Sequence, residues 1–243
     1  MHELISRVVG SVLTEGQRWH ARQRIRRVTR PAWFGTLRRT SPLSESWGLD
    51  RGTPVDRVFI ERFLNDCRND IHGTVMEIRD STYTDRFGVA VERAEILDID
   101  AGNPHATYVA DVASADVVPS DSLDCFILTQ TLHYVYDMTA ALRQIRRMLR
   151  PGGVLLATVP SIIRVERSMA STDHWRLTQA SASRLFGEVF GSERVTVRAY
   201  GNPLTAVAFL MGVAAEELSP TELDTSHEHF PVVVAVRAVK AAG

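Results

Sequence analysis

The stretch from Leu123 to Val159 constrains the fold more than any other part of the chain. LDCFILT is an apolar run of strand length. DMTAALRQIRRMLRPGG follows, placing Met138, Ala141, Leu142, Ile145, Met148 and Leu149 on one helical face, with Pro151 and Gly152 to stop the helix. GVLLATV is a second apolar run. Strand, helix and strand in this order make a βαβ unit, so the sheet is largely parallel and the crossover right-handed.

Further strand-like runs at 75–78, 95–99, 107–112, 194–199 and 231–239 bring the expected number to seven. A helix fits from Pro54, with Val58, Ile60, Phe63 and Leu64 inward, and others fit 178–190 and 203–218. The 243 residues suit one large α/β domain. Residues 1–54 read as a basic helix and an ordered, lid-like loop, and 55–243 as the α/β domain itself.

The first segment carries Leu4, Ile5, Val8, Val9 and Val12 at helical spacing, then RWHARQRIRRVTR, ended by Pro31. Such a segment could touch anionic lipid, RNA or a phosphorylated substrate; a solvated helix face or a dimer contact is the simpler reading. In the loop at 33–57, Trp33, Phe34 and Trp47 are costly to leave in water, so the loop should pack across a cleft. With 28 basic and 29 acidic side chains, the net charge of -1 argues against nucleic-acid binding driven by bulk electrostatics. Cys67 and Cys125 show neither a metal spacing nor a disulfide framework, which implies a reducing cytoplasm. No signal-peptide core is evident, and no apolar run nears the roughly 20 residues of a membrane span. A cytoplasmic protein without a membrane span is expected.

Ligands of open parallel sheets sit beyond the carboxyl ends of the strands, where strand order reverses. The polar residues expected there are Glu77, Arg79 and Asp80 after the first strand, Asp98 and Asp100 in the second, and Asp111 in the third. Thr129, Gln130, Thr131 and His133 follow the fourth.

With those positions in view, residues 55–240 resemble the class I S-adenosylmethionine-dependent methyltransferases. VMEI stands for the motif I strand, EILDID for the acidic second strand, VADV for the third, LDCFILTQTLHYVYD for the fourth and its loop, and LRPGGVLLATVP for the fifth. More closely, GTLRRTSPLSESWGLDRGTPVDR, DSTYTDRFG, HWRLT and YGNPLTAVAFLMGVAAEELSPTELD look like a bacterial methyltransferase-like group of surface-polysaccharide and secondary-metabolite pathways. The resemblance implies a Rossmann-like fold: a seven-stranded, mostly parallel sheet with an antiparallel last strand and helices on both faces. It also implies S-adenosylmethionine as cofactor. Methyl transfer chiefly needs the reactants held close and in line, which supplies about 7–11 kcal/mol of the barrier.

On this resemblance Asp98 would accept from the ribose hydroxyls, each charge-assisted bond contributing about 1.5–3 kcal/mol. Asp100 could serve instead, and either could simply cap the turn before GNP. Asp111 with the Val112 backbone would lie near adenine, or else be a solvated strand end. Glu77 and Asp80 would shape the cofactor turn, with Gln130 beside it. The family places glycine where Arg79 stands, and a Cβ resists positive φ there. Arg79 either points outward, leaving DSTYT as the cradle, or pairs with Glu77, Asp80 or an anionic ligand group.

His133 is the candidate general base, or merely closes a pocket beside Tyr134 and Tyr136. His174, Trp175 and Arg176 offer acceptor recognition, Trp a flat face and Arg a planar fork; alternatively Trp175 packs a helix start capped by Thr178. Arg51 would also orient the acceptor, in a loop with Trp47 that closes as a lid. His227 and His229 lack further convergent ligands, so no metal is expected.

The leading function is methylation of a small-molecule hydroxyl on a sugar, nucleotide-linked sugar or antibiotic intermediate. One alternative keeps the fold for proton-transfer chemistry (isomerisation, elimination or cyclisation) with His133 and His174 as acid and base. Another is a noncatalytic partner of a glycosyltransferase; a homodimer is also open.

Overall fold

The computed structural model describes residues 14–29 and 35–242, and the chain divides into two compact units, Met1–Ser41 and Pro42–Gly243. The expected apolar stripe from Leu4 to Val12, with Pro31, Trp33 and Phe34, lies outside the described residues. In the first unit, helix α1 (Glu15–Thr29) buries none of its residues. Thr14 and Gln17 open it reciprocally: Thr14 N–H donates to Gln17 Oε1 at 2.8 Å, and Gln17 N–H to Thr14 Oγ1 at 3.4 Å.

The second unit holds a seven-stranded sheet. Its strands are β1 (His72–Ile78), β2 (Ala90–Asp98), β3 (Tyr108–Val109), β4 (Leu123–Thr129), β5 (Leu149–Pro160), β6 (Val195–Tyr200) and β7 (Val233–Val239). Their spatial order is β3-β2-β1-β4-β5-β7-β6, and β7 runs antiparallel to both neighbours. This is the Rossmann-like methyltransferase fold expected from the sequence, with the last strand reversed. The order turns back on itself between β1 and β4, which defines the topological switch point.

Helix α2 (Val55–Asp66) precedes β1, α3 (Thr82–Phe87) follows it, and α4 (Met138–Met148) joins β4 to β5. Asp137 Oδ1 accepts from Ala140 N–H at 2.8 Å to start α4, while Arg146 and Arg147 complement the dipole at its end. Its face of Ala141, Leu142, Ile145 and Met148 is fully buried. Phe126 and Leu128 of β4 pack into the core that holds α4 and α5 (Gln179–Phe190). Cys125 and Ile127 point the other way, into the core of α2, α3 and α6 (Pro203–Met211). A strand buried on both faces reads as a continuous apolar run, which is why LDCFILT does not alternate.

Several elements depart from their sequence bounds. The second strand begins at Ala90 rather than 95, and the crossover helix stops at Met148, so that Leu149, Pro151 and Gly152 lie in β5. The third strand is confined to two residues because Asp111 Oδ1 accepts from Ala113 N–H at 2.8 Å, capping a 3-10 turn over Val112–Ser114. The helix expected over 203–218 ends at Met211: Gly212 takes φ 70°, and Val213 N–H returns to Ala208 O at 2.9 Å. A 3-10 turn (Ala215–Glu217) and α7 (Pro220–Asp224) continue the path.

Candidate functional site

The parallel strands bring the tips of β1 and β4 side by side, and two non-glycine residues there adopt left-handed backbone. Arg79 has φ 74° and Gln130 φ 46°. Both line a cavity of about 780 Å³, within the roughly 300–1,000 Å³ of small-molecule sites. Asp80 N–H donates to Ile78 O at 2.9 Å, closing a three-residue turn around Arg79 of the rare, strained positive-φ kind. Such strain persists only where the surroundings over-determine it. Here Arg79 N–H donates to Leu97 O at 3.1 Å and Arg79 O accepts from Asn103 Nδ2 at 2.7 Å. The turn therefore keeps the course a glycine would allow, despite the Cβ. The Arg79 side chain is exposed and forms no salt bridge among the described residues, with Glu77 and Asp80 included.

Glu77 is buried beneath this turn. Its Oε1 accepts from Tyr83 N–H at 3.2 Å, and its Oε2 from Thr84 N–H and Thr84 Oγ1, both at 2.8 Å. Burial raises its pKa, partly offset by the Thr84 and Tyr83 bonds. The carboxylate thus satisfies the free N–H groups at the start of α3. Asp80 Oδ1 accepts from Thr82 N–H at 3.0 Å, so the DSTYT segment is an ordered cradle rather than a slack loop.

Gln130 completes the second tip. Its N–H donates to Thr158 O at 2.9 Å, while both polar atoms of its side-chain amide are buried without a partner among the described residues. His133 follows in a 3-10 turn over Leu132–Tyr134, 1 % exposed and lining the cavity. Neither of its ring nitrogens has a partner among the described residues. Burial lowers its pKa to about 4, so the imidazole is neutral at pH 7. Its ring lies 3.9 Å from that of Tyr134.

The remaining sequence candidates fall elsewhere. Asp98 does not line the cavity; its Oδ1 accepts from Asp100 N–H at 3.0 Å and its Oδ2 from Asn103 Nδ2 at 2.7 Å. Asn103 therefore ties Asp98 to the Arg79 turn, a link no motif in the sequence announces. Asp100 Oδ1 accepts from Gly102 N–H at 2.8 Å. Asp111 is exposed and Val112 is buried in the core, both away from the cavity wall.

Arg51 is directed at Glu217, at 2.9 Å (Nε to Oε1) and 2.6 Å (Nη2 to Oε2), and does not line the cavity. Its loop is fastened by Leu43 N–H to Met211 O at 2.7 Å and Thr53 Oγ1 to Glu216 Oε1 at 2.6 Å. Among the described residues of the expected 33–57 loop, Trp47, Leu49 and Pro54 reach the wall, joined by Asp56 and Arg57 from the first turn of α2. Arg176 is held by the carboxylate of Asp173, whose side chain is 1 % exposed, and is also off the wall. Trp175 donates from Nε1 to Tyr136 O at 3.3 Å, and His174 is exposed; their N–H groups both donate to His133 O, at 3.1 Å for His174 and 3.2 Å for Trp175. This segment braces the His133 turn from behind. His227 and His229 have rings 5.6 Å apart in an exposed loop, and no group of described residues could hold a metal.

Asp56, missed in the sequence, lines the cavity from α2. An aspartate one position into a helix looks like an ordinary dipole partner, and only the tertiary structure shows it buried.

The strand order and reversed last strand are those of the Rossmann-like methyltransferase fold, with the pocket at the switch point. Residues 74–157 match the family model described as a methyltransferase domain. Among solved structures, an S-adenosylmethionine-dependent methyltransferase from Archaeoglobus fulgidus superposes with TM-score 0.50 at 12 % identity, covering 76 % of this chain and 94 % of that one. The 4+2 cyclase SpnF superposes with TM-score 0.50 at 14 % identity, covering 79 % and 84 %. The CurJ carbon methyltransferase does so at 0.50 and 14 %, covering 81 % and 57 %. No curated protein gives a significant match.

The domain match supports S-adenosylmethionine as the cofactor. The residues present fit it: the β1 turn keeps its positive-φ course, the Arg79 side chain is exposed, and Gln130, whose buried amide has no partner among the described residues, lines the cavity. No described helix is long and apolar enough to cross a membrane.

Proposed function

We propose that the protein transfers a methyl group from S-adenosylmethionine to a hydroxyl of a small molecule, a sugar, nucleotide-linked sugar or biosynthetic intermediate, in a reducing cytoplasm. The observation that carries this reading is the pairing of left-handed tips, Arg79 and Gln130, around a cavity whose wall holds a neutral, buried and unpartnered His133. The cofactor supplies an electrophilic methyl when bound. Glu77 keeps the cradle in shape through Tyr83 and Thr84, and Gln130 offers its free amide. Asp98, off the cavity wall, is the candidate for the ribose end only if Asp100 N–H and Asn103 Nδ2 yield its oxygens. Asp111 and the Val112 backbone are the candidates for the adenine end.

His133 takes the proton that the acceptor oxygen sheds as its new bond to carbon forms. A base with pKa about 4 is weak toward a free alcohol. It is adequate toward an oxygen already acquiring positive charge, so proton loss should accompany or follow methyl movement. Arg51, Trp175 and Arg176 orient the acceptor only if their present partners release them.

A second reading, proton-transfer chemistry without methylation, draws support from the same unpartnered imidazole and from the shared fold of the cyclase SpnF. His174 is a poor second acid or base for it, being exposed and off the cavity wall. Calorimetry with S-adenosylhomocysteine separates the readings. Micromolar binding that Asp98→Ala weakens at least tenfold supports methyl transfer, and no binding at millimolar ligand ends it.

A further inference from the structure

The cavity wall carries a buried carboxyl that methyl transfer leaves without a task. Asp56, in the first turn of α2, is 7 % exposed and lines the cavity. Its Oδ1 is buried with no hydrogen-bond partner among the described residues. The adjacent cation, Arg57, gives its Nη1 to Tyr83 Oη at 2.6 Å. Trp47 Nε1, on the same wall, is likewise buried and unpartnered.

A buried carboxylate oxygen with no donor is costly for the empty protein and is completed by whatever donor a ligand brings. A neutral hydroxyl brings a donor alone. A protonated amine brings donors and a positive charge to an oxygen that lacks a hydrogen-bond partner and whose neighbouring cation, Arg57, on the same wall, is engaged by Tyr83. Trp47 Nε1 can only donate, so it suits a hydroxyl or ring oxygen on the same ligand. The wall is therefore complementary to a molecule that is both amine-bearing and hydroxylated.

We propose that Asp56 is the specificity residue of an acceptor subsite and that the acceptor is a hydroxylated amine of amino-sugar type. This deepens the methyl-transfer reading and rests on it for the reaction, though not for the binding. Asp56 holds the amine, Trp47 meets an oxygen, and His133 is left for the hydroxyl that reacts. Burial pushes the Asp56 carboxyl up, with Arg57 pulling it back down, which accords with a group that gains from an incoming cation.

The probes are D-glucosamine and D-glucose, titrated into the full-length protein and followed by saturation-transfer NMR, with and without S-adenosylhomocysteine. Glucosamine should bind at least tenfold more tightly than glucose. Asp56→Asn should reduce that preference below threefold while binding S-adenosylhomocysteine within twofold of wild type. Asp56→Glu, which keeps the charge, should retain part of the preference and guards against a folding artefact. Equal affinity for the two sugars, absence of saturable glucosamine binding, or a preference that survives Asp56→Asn overturns the proposal. So does a tenfold loss of S-adenosylhomocysteine binding in Asp56→Asn, which would assign the carboxylate to the cofactor. If wild type ignores S-adenosylhomocysteine yet shows the amine preference, the subsite stands and methyl transfer falls.

Discussion

Asn103 Nδ2 donates to the carbonyl of Arg79 and to Asp98 Oδ2, each at 2.7 Å. One side-chain amide thus joins the strained turn after β1 to the carboxylate at the tip of β2. The arginine holds a conformation usually left to glycine because both of its backbone groups are claimed by neighbours that cannot follow it elsewhere.

Arg79→Gly should stabilise the protein. The left-handed conformation costs a side-chain-bearing residue about 1–2 kcal/mol. Glycine returns about 0.4–1 kcal/mol of that through its freer unfolded chain, leaving a net gain of about 0.5–1 kcal/mol. Urea unfolding should show a higher midpoint at unchanged slope; a lower midpoint would mean that the guanidinium itself holds the turn.

Asn103→Ala removes both bonds of the bridge. At about 0.5–1.5 kcal/mol each, the loss should reach about 1–3 kcal/mol. Calorimetry with S-adenosylhomocysteine should show weaker binding as the Arg79 turn and Asp98 drift apart. Binding equal to wild type would separate this bridge from the cofactor site.

His133 sets an acid limit on stability. Its folded pKa of about 4 lies below the ordinary 6.5, so between those values the unfolded chain binds more protons than the folded one. Stability should fall as pH drops through that window, by at most roughly 3 kcal/mol, and His133→Gln should flatten the slope. Thermal midpoints from pH 7 to 4 measure it; parallel curves for the two proteins would refute the burial argument.

Gly212→Ala should loosen the cavity wall from a distance. A Cβ there would approach Ser44 O to 2.6 Å, at a residue whose φ of 70° already favours glycine. The expected cost is about 2 kcal/mol or more, and limited proteolysis should cut first within residues 42–54. An unaltered cleavage pattern would show that this loop is anchored elsewhere.

The sheet was legible in the sequence because burial on both faces leaves unbroken apolar runs, as in LDCFILT, and because the helical face from Met138 to Met148 can belong to only one kind of crossover. Strand ends were less legible. Asp111 reads as a strand tip until the cap bond to Ala113 is seen. The charged candidate Arg51 showed the limit most clearly, since nothing in its spacing foretells that Glu217, distant in sequence, engages it.

Local patterning, then, determined the strands, the crossover helix and the edge at which a ligand must sit, because periodicity and chain stiffness act over a few residues. Only the tertiary structure decided which polar groups face that edge unpaired. Partnering of Arg51, burial of Asp56 and the enforced backbone of Arg79 depend on contacts between residues distant in sequence, and desolvation is set by everything packed around a group rather than by its own neighbours in the chain.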